Sequence, residues 1–302
     1  MNVVLVANPS AGGGLGATQW PLVARRLEAA GHAVDVRLTQ QPGDGTRLAA
    51  SALASGCRLL VALGGDGTFH EVVQGFFDEA GAPRAPGAQL GLLPAGTGND
   101  FVRSLGGSDV TRMLAALASG RARCIDVLAV RHRNRRGAPA FRICLNVLSL
   151  GASALASERA HAWPPWLRGL RYLAGGLQTL ADVRPFRLRW TLDDAPQPDA
   201  KALMLVVGNG GYFGGGMHIL PEARLEDGRA HVLLVRDAPA WQLLAQLPGL
   251  YVGAHVTAPF LELRHARVVT VASEAPLDID GEPVGTGPIE VEVLPGALLL
   301  LA

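Results

Sequence analysis

The chain has 302 residues, of which 49% are hydrophobic, 18% are charged and 38 are glycine. That composition excludes a disordered polymer, and the length allows two packed domains. A formal net charge of +1 gives no global electrostatic footprint for nucleic acid, and no apolar run is long enough to span a bilayer.

The opening residues Met1 to Ala7 are apolar, lack a basic flank and run into Asn8-Pro9, so they read as a first strand and not as a signal peptide. Further apolar runs at 33–38, 59–63 and 90–93 read as strands, with helical patterns at 21–30, at 47–55 and from about Phe69. Strands separated by helices predict a doubly wound α/β domain with a parallel sheet, and such sheets bind ligands at the C-terminal ends of their strands. After Asp126 strand-like runs follow one another at 127–131, 141–147, 186–192, 202–207, 230–235, 267–271 and 289–294. Turn signals such as Asp227-Gly228 and Asp280-Gly281 separate them. The expectation is a mainly antiparallel, sandwich-like second domain, with helices near 167–181 and 241–252. The boundary is placed at 126, giving domains 1–126 and 127–302, with the last strand free to return to the first.

Three strand-end loops carry the chemistry. Gly64-Gly65-Asp66-Gly67-Thr68 lies between a buried strand and a helix. Its glycines let bare N–H groups approach an anion, the helix dipole points the same way, and Asp66 is suited to magnesium. The structural alternative is a tight turn in which Thr68 is the N-cap and Glu71 completes a capping box. Pro94-Ala95-Gly96-Thr97-Gly98-Asn99-Asp100 is the second loop, with Thr97 toward phosphate or ribose and Asn99 and Asp100 as caps of the next helix. Asn8-Pro9-Ser10-Ala11-Gly12-Gly13-Gly14 is the third; its glycine spacing is wrong for a dinucleotide fingerprint. Lys201, the sole lysine, lies in no G-x-x-x-x-G-K-[ST] motif, which excludes a P-loop NTPase.

Residues 121–189 hold 13 arginines against Asp126, Glu158 and Asp182, a positive segment in an otherwise acidic chain. Trp163, Trp166 and Tyr172 stand among those arginines, a combination suited to a lipid headgroup layer; solvated arginines are the plain alternative. Toward the end, Asp278, Asp280 and Glu282 alternate, as residues sharing one strand face would, while Asp280-Gly281 alone reads as a hairpin turn. Cys57, Cys124 and Cys144 are odd in number and form no CxxC pair, which argues against a disulfide framework or zinc site and for a reducing, cytoplasmic setting.

Together GGDGTFHEVVQG, PAGTGNDF and the opening NPSAGGG resemble the diacylglycerol-kinase catalytic domain shared by bacterial lipid kinases, diacylglycerol kinases and sphingosine or ceramide kinases. Downstream, the stretch from Leu145-Asn146 to Gly151, the Gly-rich run from Asn209 to Gly216, Pro221-Glu222-Ala223, Asp227-Gly228 and LDIDGEP at 277–283 are similar to the same family in the same order. The resemblance implies an ATP-dependent, magnesium-requiring kinase acting on a membrane lipid, in peripheral contact with the inner membrane face. It implies that Asn8, Thr39, Gly64, Gly65, Asp66, Gly67, Thr68, Phe69, His70, Thr97 and Asn99 surround ATP. Asp66, Asp100 and Asp126 would form a water-linked magnesium network, and Asp280, with Glu282 beside it, would take the proton of the acceptor hydroxyl. A second, structural magnesium is implied at Asp227 and the carbonyls of Arg224 and Arg229, where His231 replaces an acidic residue usual in the family. Rival readings are a soluble-substrate kinase of the NAD-kinase type and a non-catalytic nucleotide- or lipid-binding regulator. Acceptor identity and oligomeric state are not legible.

Overall fold

The structure, a computed structural model, describes residues 1–96, 98–162, 175, 176, 178, 179 and 183–301. Thr97, the tryptophan- and arginine-bearing segment 163–172 and most of the helix expected at 167–181 lie outside the described residues. The chain divides into two compact units, Met1–Asp126 with Pro295–Ala302, and Val127–Leu294.

In the first unit β1 (Asn2–Ala7), β2 (Ala33–Leu38), β3 (Leu59–Gly64) and β4 (Gln89–Pro94) alternate with α1 (Ala11–Ala29), α2 (Asp44–Ala54) and α3 (Asp66–Gln74). The short α4 (Asp100–Ser104) and α5 (Val110–Ala118) follow. β3 is buried at every position, as a strand with helices on both faces must be. These four strands pair in parallel, in the order β4-β3-β1-β2. Leu5, Leu27, Leu59, Val61 and Met113 fill its core. Met113 fits because Gly91 has no side chain: a Cβ there would stand 2.4 Å from the Met113 Sδ. Helix α1 begins ten residues earlier than the expected 21–30, because Pro21 lies inside it and does not start it. Gly12, Gly13 and Gly14 take left-handed angles in its first turn.

β5 (Arg123–Asn134) opens the second unit, followed by β6 (Pro139–Cys144), β7 (Val147–Gly151) and α6 (Ala152–Ala162). Then come β8 (Phe186–Leu188), β9 (Trp190–Leu192), β10 (Ala195–Pro196), β11 (Ala200–Gly208), β12 (Tyr212–Phe213) and β13 (Met217–His218). After β14 (Ala230–Arg236) lie two short helices, α7 (Ala240–Ala245) and α8 (Leu247–Leu250). β15 (Leu261–Ala266), β16 (Val268–Val271), β17 (Pro276–Ile279) and β18 (Glu282–Leu301) complete the chain. Neighbours run in the order β15-β14-β11-β7-β17-β18, all antiparallel. β16 pairs both β18 and β9, and β5 pairs β6. Leu128, Leu148, Leu205, Val232, Val269 and Val291 belong to the shared interior, so the fold is an antiparallel sandwich behind a parallel α/β unit in chain order.

Three expectations change. The run at 141–147 is two strands, the helix at 241–252 is two because Pro248 sits in the first turn of α8, and β15 appears where no strand was expected. Leu299, Leu300 and Leu301 of β18 pair in parallel with Gln89, Leu90 and Gly91 of β4. No helix among the described residues is long and apolar enough to cross a membrane.

Candidate functional site

Parallel pairing brings the C-terminal ends of β1, β3 and β4 to one edge, and backbone bonds tie the loops there. Asn8 N donates to Leu63 O at 2.9 Å and Ala95 N to Gly64 O at 2.7 Å. Thr39, beyond β2, donates its amide to Ala7 O at 2.9 Å. The Asn8 amide group donates to the Thr68 hydroxyl at 3.1 Å, joining the Asn8–Gly14 loop to the Gly64–Thr68 loop. Only glycine permits this assembly: a Cβ on Gly96 would lie 2.7 Å from the Gly65 Cα, and one on Gly12 would lie 2.1 Å from the Ala95 carbonyl oxygen. The loops therefore meet backbone to backbone, which leaves N–H groups and not side chains to face a ligand. Phe69 and His70 are buried.

Helix α3 starts at Asp66 with Gly65 as its N-cap. The capping box expected of Thr68 and Glu71 does not form. Glu71 instead accepts from the amides of Gly43 and Gly45 at 2.8 and 2.9 Å, capping the neighbouring helix α2. Asp66 does the same for α4: its two carboxylate oxygens accept from the amides of Asp100 and Phe101 at 3.1 and 3.3 Å. A carboxylate serving the first amides of a helix is favoured by the dipole. Asn99 precedes α4 in a left-handed conformation, φ 53°, and makes no side-chain cap; its amide group bonds Gly96 O at 3.2 Å. Asp66 thus holds the two loops together as well as presenting negative charge.

Asp100 and Asp126 are buried, and Asp126 accepts from the Gly296 amide at 2.8 Å. Three carboxylates in the first unit supply hard oxygen donors of the type magnesium takes. Among the described residues no group of three or more His, Cys, Asp or Glu side chains closes into a direct metal cage. Of the three, Asp66 and Asp100 are tied directly, through the Asp100 amide.

In the second unit Asp280 and Gly281 form the two-residue turn between β17 and β18, with φ of 53° and 86°. Asp278, Asp280 and Glu282 therefore do not line one strand face; Ile279 pairs directly with Glu282 across the turn. The Asp280 carboxylate accepts from the amides of Leu145, Asn146 and Val147 at 2.8, 2.9 and 3.1 Å, and from the Cys144 thiol at 3.3 Å. Burial and the adjacent Asp280 charge push the Cys144 thiol well up. Glu282 differs: it is half-exposed, with the Arg142 guanidinium 3.8 Å away. Asn146, to which the sequence assigned no role, links this turn to the Gly-rich loop. Its carbonyl accepts from Asn209 and Gly210, and its side chain donates to Tyr212 O at 2.7 Å. The sole signal for it was its place in the Asn-to-Gly stretch.

Arg224, Asp227 and Arg229 lie beside an open cavity of about 550 Å³ with His231 and His265. The Asp227 oxygens accept from the Arg229 amide and face the His231 Nε2, each at 3.0 Å.

Residues 2–130 match the family described as the diacylglycerol kinase catalytic domain, and residues 146–302 match the YegS C-terminal NAD kinase beta sandwich-like domain. A Pseudomonas aeruginosa protein named "Probable lipid kinase YegS-like" is 33% identical over 281 residues, covering 91% of this chain and 86% of that protein. A crystal structure from Bacillus anthracis assigned to the diacylglycerol kinases superposes with a TM-score of 0.76 at 24% identity, covering 99% and 96% of the two chains. An NAD kinase from Archaeoglobus fulgidus, solved with ATP, shares the fold at a TM-score of 0.54 and 14% identity, over 100% and 94%.

Proposed function

The chain belongs to the diacylglycerol kinase catalytic-domain family, and from that premise we propose that it transfers the γ-phosphoryl group of ATP to the hydroxyl of a membrane lipid, with magnesium. The observation that carries the reading is the backbone-to-backbone meeting of the Gly65 and Gly96 loops under Asp66. Phosphoryl transfer asks mainly for positioning and neutralisation of charge, and bare amides beside a carboxylate supply the binding half of that. Magnesium, when bound through Asp66, Asp100 and Asp126, would neutralise charge on the transferring group.

The proton-accepting role falls to Glu282 and not to Asp280. Four donors already engage the Asp280 carboxylate, so its task is to fix the turn. Glu282, next to that turn and open to solvent, has lone pairs available to a hydroxyl proton. Asp280 is then the positioning residue and Glu282 the catalytic one.

Peripheral contact with the bilayer belongs to the same proposal. Residues 238–261 carry no Asp, Glu, Lys or Arg, and Trp241, Leu244, Tyr251 and Val252 are exposed there. A tryptophan and a tyrosine on an uncharged surface suit the headgroup layer.

The test is transfer from labelled ATP into a mixed lipid extract with magnesium, comparing wild type with Glu282→Gln. A labelled lipid that is lost in the variant supports the reading and identifies the acceptor. Label in a water-soluble product would move the protein to the soluble-substrate kinases, and no turnover on any acceptor would leave a nucleotide- or lipid-binding regulator.

A further inference from the structure

The resemblance implies a structural magnesium at Asp227 and the carbonyls of Arg224 and Arg229, and the residues present do not fit one. Magnesium requires oxygen donors in near-octahedral array. Here both Asp227 oxygens are in use: Oδ1 accepts from the Arg229 amide and Oδ2 faces the His231 Nε2, each at 3.0 Å. Residue 231, where the family usually has a second acid, offers nitrogen, a poor partner for magnesium. The surroundings oppose a divalent cation as well. Arg224, Arg229, His231 and His265 line the same cavity, against Asp227 and Glu222.

We infer that the His231 side chain takes the place of that magnesium, closing the turn before β14 through its bond to Asp227. Geometry makes the substitution effective. His231 sits four residues after Asp227, with its side chain only 12% exposed and that of Asp227 25% exposed. Its backbone is held on both sides, opposite Gly208 of β11 and His265 of β15. The imidazole therefore has little freedom, and the bond pins a loop to the start of an interior strand. A metal would have done this by drawing carbonyls inward; the imidazole does it from a fixed strand position, with no exchangeable ion. The inference concerns stability and stands apart from the catalytic reading.

The test is thermal unfolding of the purified full chain, stripped with EDTA and then measured with and without millimolar magnesium. Wild type and Asp227→Asn are expected to respond to magnesium equally, since any response then arises from carboxylates elsewhere. His231→Ala is expected to unfold about 2–4 °C lower than wild type in EDTA, the size of one side-chain hydrogen bond in a domain this large, and magnesium is not expected to restore it. A magnesium response in wild type that Asp227→Asn abolishes overturns the inference, as does a His231→Ala variant that unfolds with wild type in EDTA.

Discussion

Asp66 and Asp280 stand in the two units at corresponding kinds of place, beside a glycine in a tight connection, and both carboxylates accept backbone amides. The difference lies in the partners each one holds. Asp66 receives one amide on each oxygen, from the start of α4, and stands among loops made of bare backbone. Asp280 receives three amides and a thiol and is held in a left-handed turn. One aspartate in a glycine-rich connection thus caps a short helix, and the other binds the link between β6 and β7.

The comparison breaks most visibly in activity. Asp66→Asn and Glu282→Gln are each expected to lower kcat at least about 100-fold in the lipid-transfer assay, while leaving the unfolding midpoint of Glu282→Gln unchanged. Asp280→Asn is expected to show the opposite emphasis. It turns an acceptor oxygen into an NH2 group facing donors, which costs about 2 kcal/mol and lowers the midpoint by roughly 4–8 °C. An Asp280→Asn protein as stable as wild type yet inactive would return the base to Asp280.

A smaller effect is expected at Gly12, where φ is +60° and a Cβ would meet the Ala95 carbonyl oxygen. Gly12→Ala should cost about 1–3 kcal/mol in chemical denaturation and weaken ATP binding, since it pries the Asn8–Gly14 loop from the Pro94–Asp100 loop. Unchanged nucleotide affinity would show that the loop contact serves the fold alone.

The smallest effect separates the units by pH. Burial lowers the pKa of His132, His218 and His255, all in the second unit. These imidazoles stay neutral in the folded state, so the stability they contribute is present above the unfolded value of about 6.5 and is lost as pH falls below it. In the first unit Asp44 is lowered through its bond to Arg47, and Asp109 through the Arg112 amide. Their contribution is present above about 3.9 and is lost only as pH falls through their lower folded values. Hydrogen exchange read by mass spectrometry at pH 7.5 and 5.5, corrected for intrinsic rates, should show peptides of 127–294 losing protection before those of 1–126. Equal loss in both would show that these histidines do not govern the acid response.

Sequence made the parallel strands and the glycine loops legible because both are local: an apolar run followed by glycine and aspartate needs no partner to be recognised. It misread Thr68 and Glu71, since their spacing satisfies a capping box while Glu71 actually reaches Gly43 and Gly45, in a helix far back along the chain. Asp278, Asp280 and Glu282 were misread for a related reason. Alternation looks the same along a strand and around a two-residue turn until the cross-strand pairing of Ile279 with Glu282 is known. The weight of Asn146 was invisible because it is built from bonds to Asn209, Gly210 and Tyr212, more than sixty positions away.

The pairing of Leu299–Leu301 with β4 bears on synthesis as well as on the finished fold. A ribosome delivers Gln89–Pro94 long before the strand that covers its outer edge. During that interval the nascent first unit exposes a row of unpaired amides and carbonyls along the start of β4, the kind of edge that recruits stray strands. Substitutions that disturb Leu299, Leu300 or Leu301 should therefore act at birth, as lost solubility, before they could be scored as lost catalysis.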